Sequence, residues 1–177
     1  MDRNHSPWHA VRVRSRFENI VTANLAGEGL MVFYPTYLAR RERDGRSKAI
    51  ELPLFPGYVF CRIGSSNKGK VLLCAGVLFV AGDTSSQQSA VENELFALQC
   101  VTRSSLHYEA APLTSSGIRV QVIDGALRNC EGVLIEPAKP RLALQVSLIQ
   151  RSVFVDLPEG TGVAPVLTGQ KAVPVPA

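Results

Sequence analysis

Leu52-Pro53-Leu54-Phe55-Pro56-Gly57-Tyr58-Val59-Phe60-Cys61-Arg62-Ile63 is the stretch on which the reading of this chain turns. Two prolines and a glycine stand directly before an apolar run. Proline fixes φ and has no amide proton, so neither Pro53 nor Pro56 belongs inside a central ladder, and Gly57 supplies the freedom for a sharp turn. The chain is expected to bend here and then enter a sheet as a buried strand. Alternation puts Tyr58 and Phe60 on one face of that strand.

Working back from this stretch, Trp8–Val13 has strand composition. Trp8, Ala10, Arg12, Arg14 and Arg16 fall on one face and His9, Val11 and Val13 on the other. Ser15-Arg16-Phe17-Glu18 fits a capping box, with Ser15 as N-cap and Glu18 reaching back to its amide. Phe17, Val21 and Leu25 continue at helical spacing until Gly27 and Gly29 close the helix. A strand over Leu30–Tyr34 follows. Asp44-Gly45 is a two-residue hairpin signal, and the flanking arms carry Arg40, Arg41, Arg43, Arg46 and Lys48 as a protruding basic ribbon. By itself such a charge cluster on a hairpin reads as a solvated face.

Working forward, Ser65–Gly69 reads as a polar loop, Val71–Ala75 as a short helix and Val77–Ala81 as a buried strand. Ser85-Ser86-Gln87-Gln88 can cap a helix whose apolar stripe is Val91, Leu95 and Leu98. Residues 1–103 thus form a helix-covered antiparallel sheet. Residues 104–116 show no periodicity and read as a linker. Five short strands follow from Gly117: Arg119–Ile123, Gly132–Glu136, Leu142–Leu148, Ser152–Asp156 and Val163–Val166. They make residues 117–167 a small β-barrel, and residues 168–177 read as a flexible tail. Leu142, Val146, Ile149 and Val153 also sit at helical spacing, but Pro137 and Pro140 favour strands. The fold class is α+β.

The chain has 177 residues, 46% hydrophobic and 19% charged, with a net charge of +4. Residues 1–103 hold 13 Lys and Arg against 9 Asp and Glu, and residues 104–177 hold 6 against 6. All of the excess lies in the first part, where it is either a solubilising charge or a contact for a polyanion. Cysteines at 61, 74, 100 and 130 have no zinc-knuckle spacing, so reduced thiols, no metal and no cofactor are expected. No secretory signal or membrane-length apolar run is present, which implies a cytoplasmic protein with no membrane contact. No phosphate-cradling loop or nucleophile–base pair is visible, and an enzyme is not expected.

Several of these residues resemble one family. Trp8-His-Ala-Val, Pro53-Leu-Phe-Pro-Gly-Tyr-Val-Phe60 and Gly76-Val-Leu-Phe-Val80 are similar to the N-terminal (NGN) domain of NusG-type transcription elongation factors. Val120-Gln-Val-Ile-Asp-Gly125 followed by Gly132-Val-Leu-Ile resembles the KOW motif of their SH3-like C-terminal barrel, with Val120, Val122, Gly125 and Gly132 as its residues. The run Arg141–Val155 is most similar to specialised UpxY/RfaH-like antiterminators. The resemblance covers roughly residues 8–167.

The resemblance implies a non-enzymatic, monomeric factor of transcription elongation and antitermination. Its NGN domain grips the clamp helices of the largest RNA polymerase subunit and suppresses pausing. Trp8, Phe55, Tyr58 and Phe60 match the family's polymerase-binding positions, with Phe55 expected as an exposed anchor. Arg14 and Arg16 match positions facing the non-template DNA strand. Lys68 and Lys70 lie near the loop that in relatives meets the second-largest subunit's gate loop and the DNA. Arg12 departs from the family, which often has an aromatic there. The barrel is implied to recruit a small-subunit ribosomal protein or Rho. The competing reading is a KOW-containing RNA-binding or ribosome-associated protein without polymerase contact.

Overall fold

The computed structural model describes residues 6–43, 46–82, 88–114, 116–136 and 139–166. Its first part contains β1 (Trp8–Val13), α1 (Glu18–Gly27), β2 (Val32–Phe33), β3 (Thr36–Arg43), β4 (Arg46–Pro53), β5 (Tyr58–Arg62), α2 (Lys68–Leu73), β6 (Val77–Ala81) and α3 (Gln88–Arg103). Four of these strands pair antiparallel in the order β2-β5-β1-β6, and β3 with β4 makes a separate two-stranded ribbon.

The alternation read in β1 determines how this sheet is covered. Val11 and Val13 join Val59, Cys61, Ile63 and the helical residues Val21, Leu25 and Val71 in a core under α1 and α2. Trp8 and Ala10 face the other way and pack with Phe60 and with Val91, Leu95 and Leu98 of α3. Each fully buried Val or Leu contributes about 1.5–3 kcal/mol relative to exposure. Both faces of the central strand are thereby covered, except at Arg12, its one residue that is not fully buried.

The start of α1 departs from the capping-box expectation. Its N-cap is Phe17, with no side-chain cap hydrogen bond, and Arg16 adopts a left-handed φ of 67°. Glu18 does not reach back to Ser15. It is 6% exposed and its Oε1 accepts the Gly57 amide at 2.8 Å. A tertiary donor in the β4–β5 turn has taken the carboxylate that a local box would have used. The strand expected over Leu30–Tyr34 shortens to β2. The turn at Asp44-Gly45, the cap at Ser85-Ser86-Gln87 and the tail 168–177 lie outside the described residues.

The remaining strands are β7 (Tyr108–Pro112), β8 (Ile118–Val122), β9 (Glu131–Glu136), β10 (Arg141–Val146), β11 (Arg151–Asp156) and β12 (Val163–Pro165). They form one antiparallel sheet in the order β12-β8-β9-β10-β11-β7. Residues Leu142 to Val153 are in strands and a 3-10 turn, not a helix, with Leu142 opposite Val155 and Leu144 opposite Val153. The strand expected to run to Leu148 stops at Val146, because Ser147–Ile149 makes that turn and Gln150 takes φ 53°.

One expectation is corrected by β7. Tyr108–Pro112 falls inside the presumed linker, yet it pairs with β11 from Tyr108–Val155 to Pro112–Arg151. It is an edge strand with one buried side chain, Ala111, so backbone pairing makes it a strand where side-chain pattern gives no signal.

The C-terminal sheet lies against α3. Val120, Val122, Leu127, Leu142, Leu144, Val146, Val153 and Val155 belong to the same buried cluster as α3's Val91, Leu95, Ala97, Leu98 and Val101. Glu94 of α3 accepts hydrogen bonds from the Ser147 amide (2.8 Å) and hydroxyl (2.7 Å). The Tyr108 hydroxyl donates to the Thr36 carbonyl at the base of the ribbon at 2.9 Å. One helix therefore serves as a wall for two sheets.

Candidate functional site

The Pro56-Gly57 turn is held from three sides. Gly57 takes φ 81°, its amide donates to Glu18, and its carbonyl accepts from Val13 N at 2.9 Å. Tyr58 N donates to Phe55 O at 3.1 Å. Arg12 Nη1 donates to Pro56 O at 3.2 Å, while its guanidinium lies 4.6 Å from the Tyr58 ring centroid. The left-handed φ requires the glycine; a Cβ there would also come within 2.6 Å of Arg12 Nη1, the mobile tip of a long side chain that could move aside. Arg12 thus fills the place of the aromatic expected from the family pattern and stacks on Tyr58.

The aromatics proposed from sequence do not all reach solvent. Trp8, Phe55 and Phe60 are 2%, 5% and 0% exposed. Phe60 packs against Phe33 at 6.2 Å and meets Phe55 edge-on at 6.3 Å. Trp8 lies under the Arg62 guanidinium at 4.7 Å, and Arg62 is held by Ser6 O at 2.9 Å and by Glu92. The expectation that Phe55 is an exposed anchor is corrected. Phe55 sits in the cluster that α3 closes, and of the four residues only Tyr58 is partly exposed.

A different row of side chains does face outward. The register sets Arg12 opposite Tyr58 on β5 and opposite Phe79 on β6. Phe79 is 50% exposed. Tyr58, Arg12 and Phe79 therefore run across three strands on one face, beside the rigid turn. Sequence reasoning missed Phe79 because Val77–Ala81 is uniformly apolar and reads as a buried strand. The missing fact is topological, since β6 is the sheet edge.

The basic candidates fall into two groups. Arg14 and Arg16 are exposed just before α1, where Arg14 N donates to Gly76 O at 2.8 Å. Lys70 lies 4.0 Å from Glu28 at the far end of α1, about 14 Å along a ten-residue helix. Lys68 begins α2 and is partly buried. The structure does not bring Arg14 and Arg16 together with Lys70.

Three of the four KOW residues are explained by packing and Gly125 by its backbone conformation. Val120 and Val122 are buried. Gly125 takes φ 71° at the start of a 3-10 turn. A Cβ at Gly132 would lie 2.8 Å from Leu142 Cγ and 2.9 Å from Ala143 O, so β9 and β10 approach too closely for any side chain. Among the described residues, no group of three or more His, Cys, Asp or Glu is placed to hold a metal ion, and no helix is long and apolar enough to cross a membrane.

A family described as "Transcription termination factor nusG" matches residues 6–101, more than half of the chain. The chain belongs to the NusG family. Transcription termination/antitermination protein NusG of Streptococcus pyogenes serotype M3 is 24% identical over 162 residues, covering 84% of this chain and 90% of that protein. The NusG of Lactococcus lactis is 27% identical over 139 residues, with 76% and 75% covered. Among solved structures, "Domain interaction in Thermotoga maritima NusG" aligns with a TM-score of 0.43 at 17% identity, covering 87% of this chain and 94% of that one. The MjSpt4:Spt5 complex in conformation B aligns with a TM-score of 0.31 at 15% identity, covering 90% and 97%.

The NusG match runs from the residues before β1 into α3 and so takes in the turn, the exposed row and both basic groups. The expectation of an NGN domain joined to a sheet-rich KOW part holds. In this NusG-family chain the Glu94 carboxyl, which joins α3 to the C-terminal sheet, is pushed above the ordinary carboxylate range by burial. The Ser147 hydrogen bonds pull it back only in part.

Proposed function

We propose that this NusG-type termination/antitermination factor docks on the clamp helices of the largest RNA polymerase subunit through the Tyr58–Arg12–Phe79 row and the Pro56-Gly57 turn. Trp8, Phe55 and Phe60 support that surface from beneath. What carries this reading is a half-apolar row, with Phe79 exposed and Arg12 and Tyr58 partly so, next to a turn whose every backbone group is tied down. Such a surface loses little entropy on binding a helix tip. Arg14 and Arg16, exposed at the start of α1, suit the non-template strand, because guanidinium groups both bind phosphate and stack on unpaired bases. Lys68 and Lys70 form a second contact toward the gate loop.

In this proposal residues 1–103 are the polymerase-binding part. Residues 117–167 recruit a small-subunit ribosomal protein or Rho, for which the exposed Ile118 and Ile123 offer apolar contact. UpxY/RfaH-like specialisation is supported by the Arg141–Val155 run alone. A ribosome-associated KOW protein is the less favoured reading, because the family match lies in residues 6–101.

Core RNA polymerase captured by the full-length chain tests the docking surface. Tyr58→Ala and Phe79→Ala are each expected to weaken binding about tenfold, the effect of losing roughly 1.4 kcal/mol at an interface. Undiminished binding in both variants overturns the proposal.

A further inference from the structure

The four cysteines divide between the two buried clusters. Cys61 and Cys74 lie in or against the core under α1 and α2. Cys130 belongs to the cluster shared by α3 and the C-terminal sheet, and Cys100 packs against that same cluster. All four are free thiols in this structure. Cys100 follows Ala97 by one helical turn and adjoins Val101, so it rides the stripe by which α3 covers the sheet. Cys130 stands between the 3-10 turn Gly125–Leu127, on which α3 packs, and the start of β9. Its backbone is fixed from two sides: the amide donates to Leu127 O at 2.9 Å and the carbonyl accepts from Val122 N at 2.9 Å. Cys130 is 1% exposed, whereas Cys100 is only partly buried. A hydrogen bond joins the two side chains, and burial first, then Cys100, pushes the Cys130 thiol above its ordinary range. These two thiols, 30 positions apart, sit on opposite sides of the seam between α3 and the sheet and meet only while the sheet rests on the helix.

We propose that Cys100 and Cys130 are a reversible disulfide site, oxidised by a peroxide, that staples α3 to the C-terminal sheet. Cys100, the partner that solvent reaches, attacks one peroxide oxygen as its thiolate. The O–O bond breaks, leaving a sulfenic acid on Cys100 and a hydroxide that takes up the proton Cys100 released. The Cys130 sulfur then attacks the Cys100 sulfur, the S–O bond breaks, and the sulfenic oxygen leaves as water with the Cys130 proton. Two thiols and one hydrogen peroxide thus give one disulfide and two waters. A small dithiol reverses the bridge by exchange and is itself left as the disulfide. Burial makes Cys130 a poor first nucleophile and shields it from over-oxidation, which suits the second, resolving role. Cys61 and Cys74 have no such arrangement across a seam, since both belong to the other cluster. The staple is independent of polymerase docking.

Treating the full-length chain with stoichiometric hydrogen peroxide, alkylating the remaining thiols and mapping the digest by mass spectrometry tests the proposal. The main cross-linked peptide pair should join Cys100 to Cys130, and dithiothreitol should restore both thiols. Closing a loop of this length should raise the thermal midpoint of the bridged chain by roughly 6–12 °C over the reduced one. Cys100→Ala should abolish both the link and the shift, and Cys74→Ala should leave both in place. In urea the preference should pass to Cys61 and Cys74, only 13 positions apart, because shorter loops close at lower entropic cost. Thiols that all stay free, a main link through Cys61, Cys74 or a second chain, or a link that dithiothreitol does not reverse each overturns it. So does a bridged chain that melts no higher than the reduced one, a shift that persists in Cys100→Ala, or the same preference in urea. The link is mapped on the wild-type chain, so a variant that fails to fold does not obscure it. Because polymerase is absent from this assay, its failure leaves the Tyr58 and Phe79 result untouched.

Discussion

Replacing Glu18 by Ala discriminates between two readings of the start of α1. In the local reading, Ser15 and Glu18 cap each other and loss of either costs about 1 kcal/mol. In the structure, α1 has no side-chain cap bond, and the Glu18 carboxylate, 6% exposed, receives the Gly57 amide at 2.8 Å. A hydrogen bond to a charged group contributes about 1.5–3 kcal/mol, and removing the acceptor strands the Gly57 amide as well. At about 2–4 °C per kcal/mol for a chain of this size, Glu18→Ala should lower the thermal midpoint by roughly 3–12 °C. Glu18→Gln keeps an acceptor oxygen and should lose about 1 kcal/mol. Ser15→Ala should stay within about 0.5 kcal/mol of wild type. Urea unfolding followed through the fluorescence of Trp8, the chain's one tryptophan and a buried residue, measures all three. If Ser15→Ala is as costly as Glu18→Ala, and the double variant costs no more than either, the capping box is real and the tertiary assignment falls.

Two further outcomes follow from the contacts described above. Glu94 is raised by burial in the folded state, so its stabilising contribution is fully present below the unfolded carboxylate value and is lost as pH rises through the raised one. Urea midpoints of the wild-type chain should therefore fall over that window, Glu94→Gln should flatten the dependence, and a wild-type/Gln difference that is the same at every pH would contradict the assignment. Gly132→Ala forces a methyl within 3 Å of the Ala143 carbonyl and the Leu142 side chain, and should cost about 1–3 kcal/mol by the same denaturation, whereas an unchanged midpoint would show that β9 and β10 can part freely.

How much of this was legible in the sequence depends on whether the deciding partner was local. The period-two face of β1 and the Pro56-Gly57 break are properties of adjacent residues, and both came through as expected. Residues Leu142 to Val153, which fit strand and helix spacing alike, were decided by the prolines before them. Glu18 was misread because its partner is 39 positions away. β7 was invisible because an edge strand with one buried side chain is defined by the backbone of its neighbour. Phe55 and Phe60 show the limit most clearly. An aromatic beside a turn reads equally as anchor or as core, and it is α3, distant in sequence, that made them core. Phe79 is the converse, an apolar residue left open by its place at the sheet edge.

The double duty of α3 has a practical consequence for anyone dividing this chain. A cut at residue 103, where composition and charge change, would separate Ala97 and Val101 from the sheet they help cover and leave Glu94 without Ser147. The cut would also free the base of the basic ribbon from Tyr108. A fragment made that way would present a newly bared apolar stripe with its own appetite for partners. Whatever it captured would report on the scission as much as on the docking surface of the intact molecule.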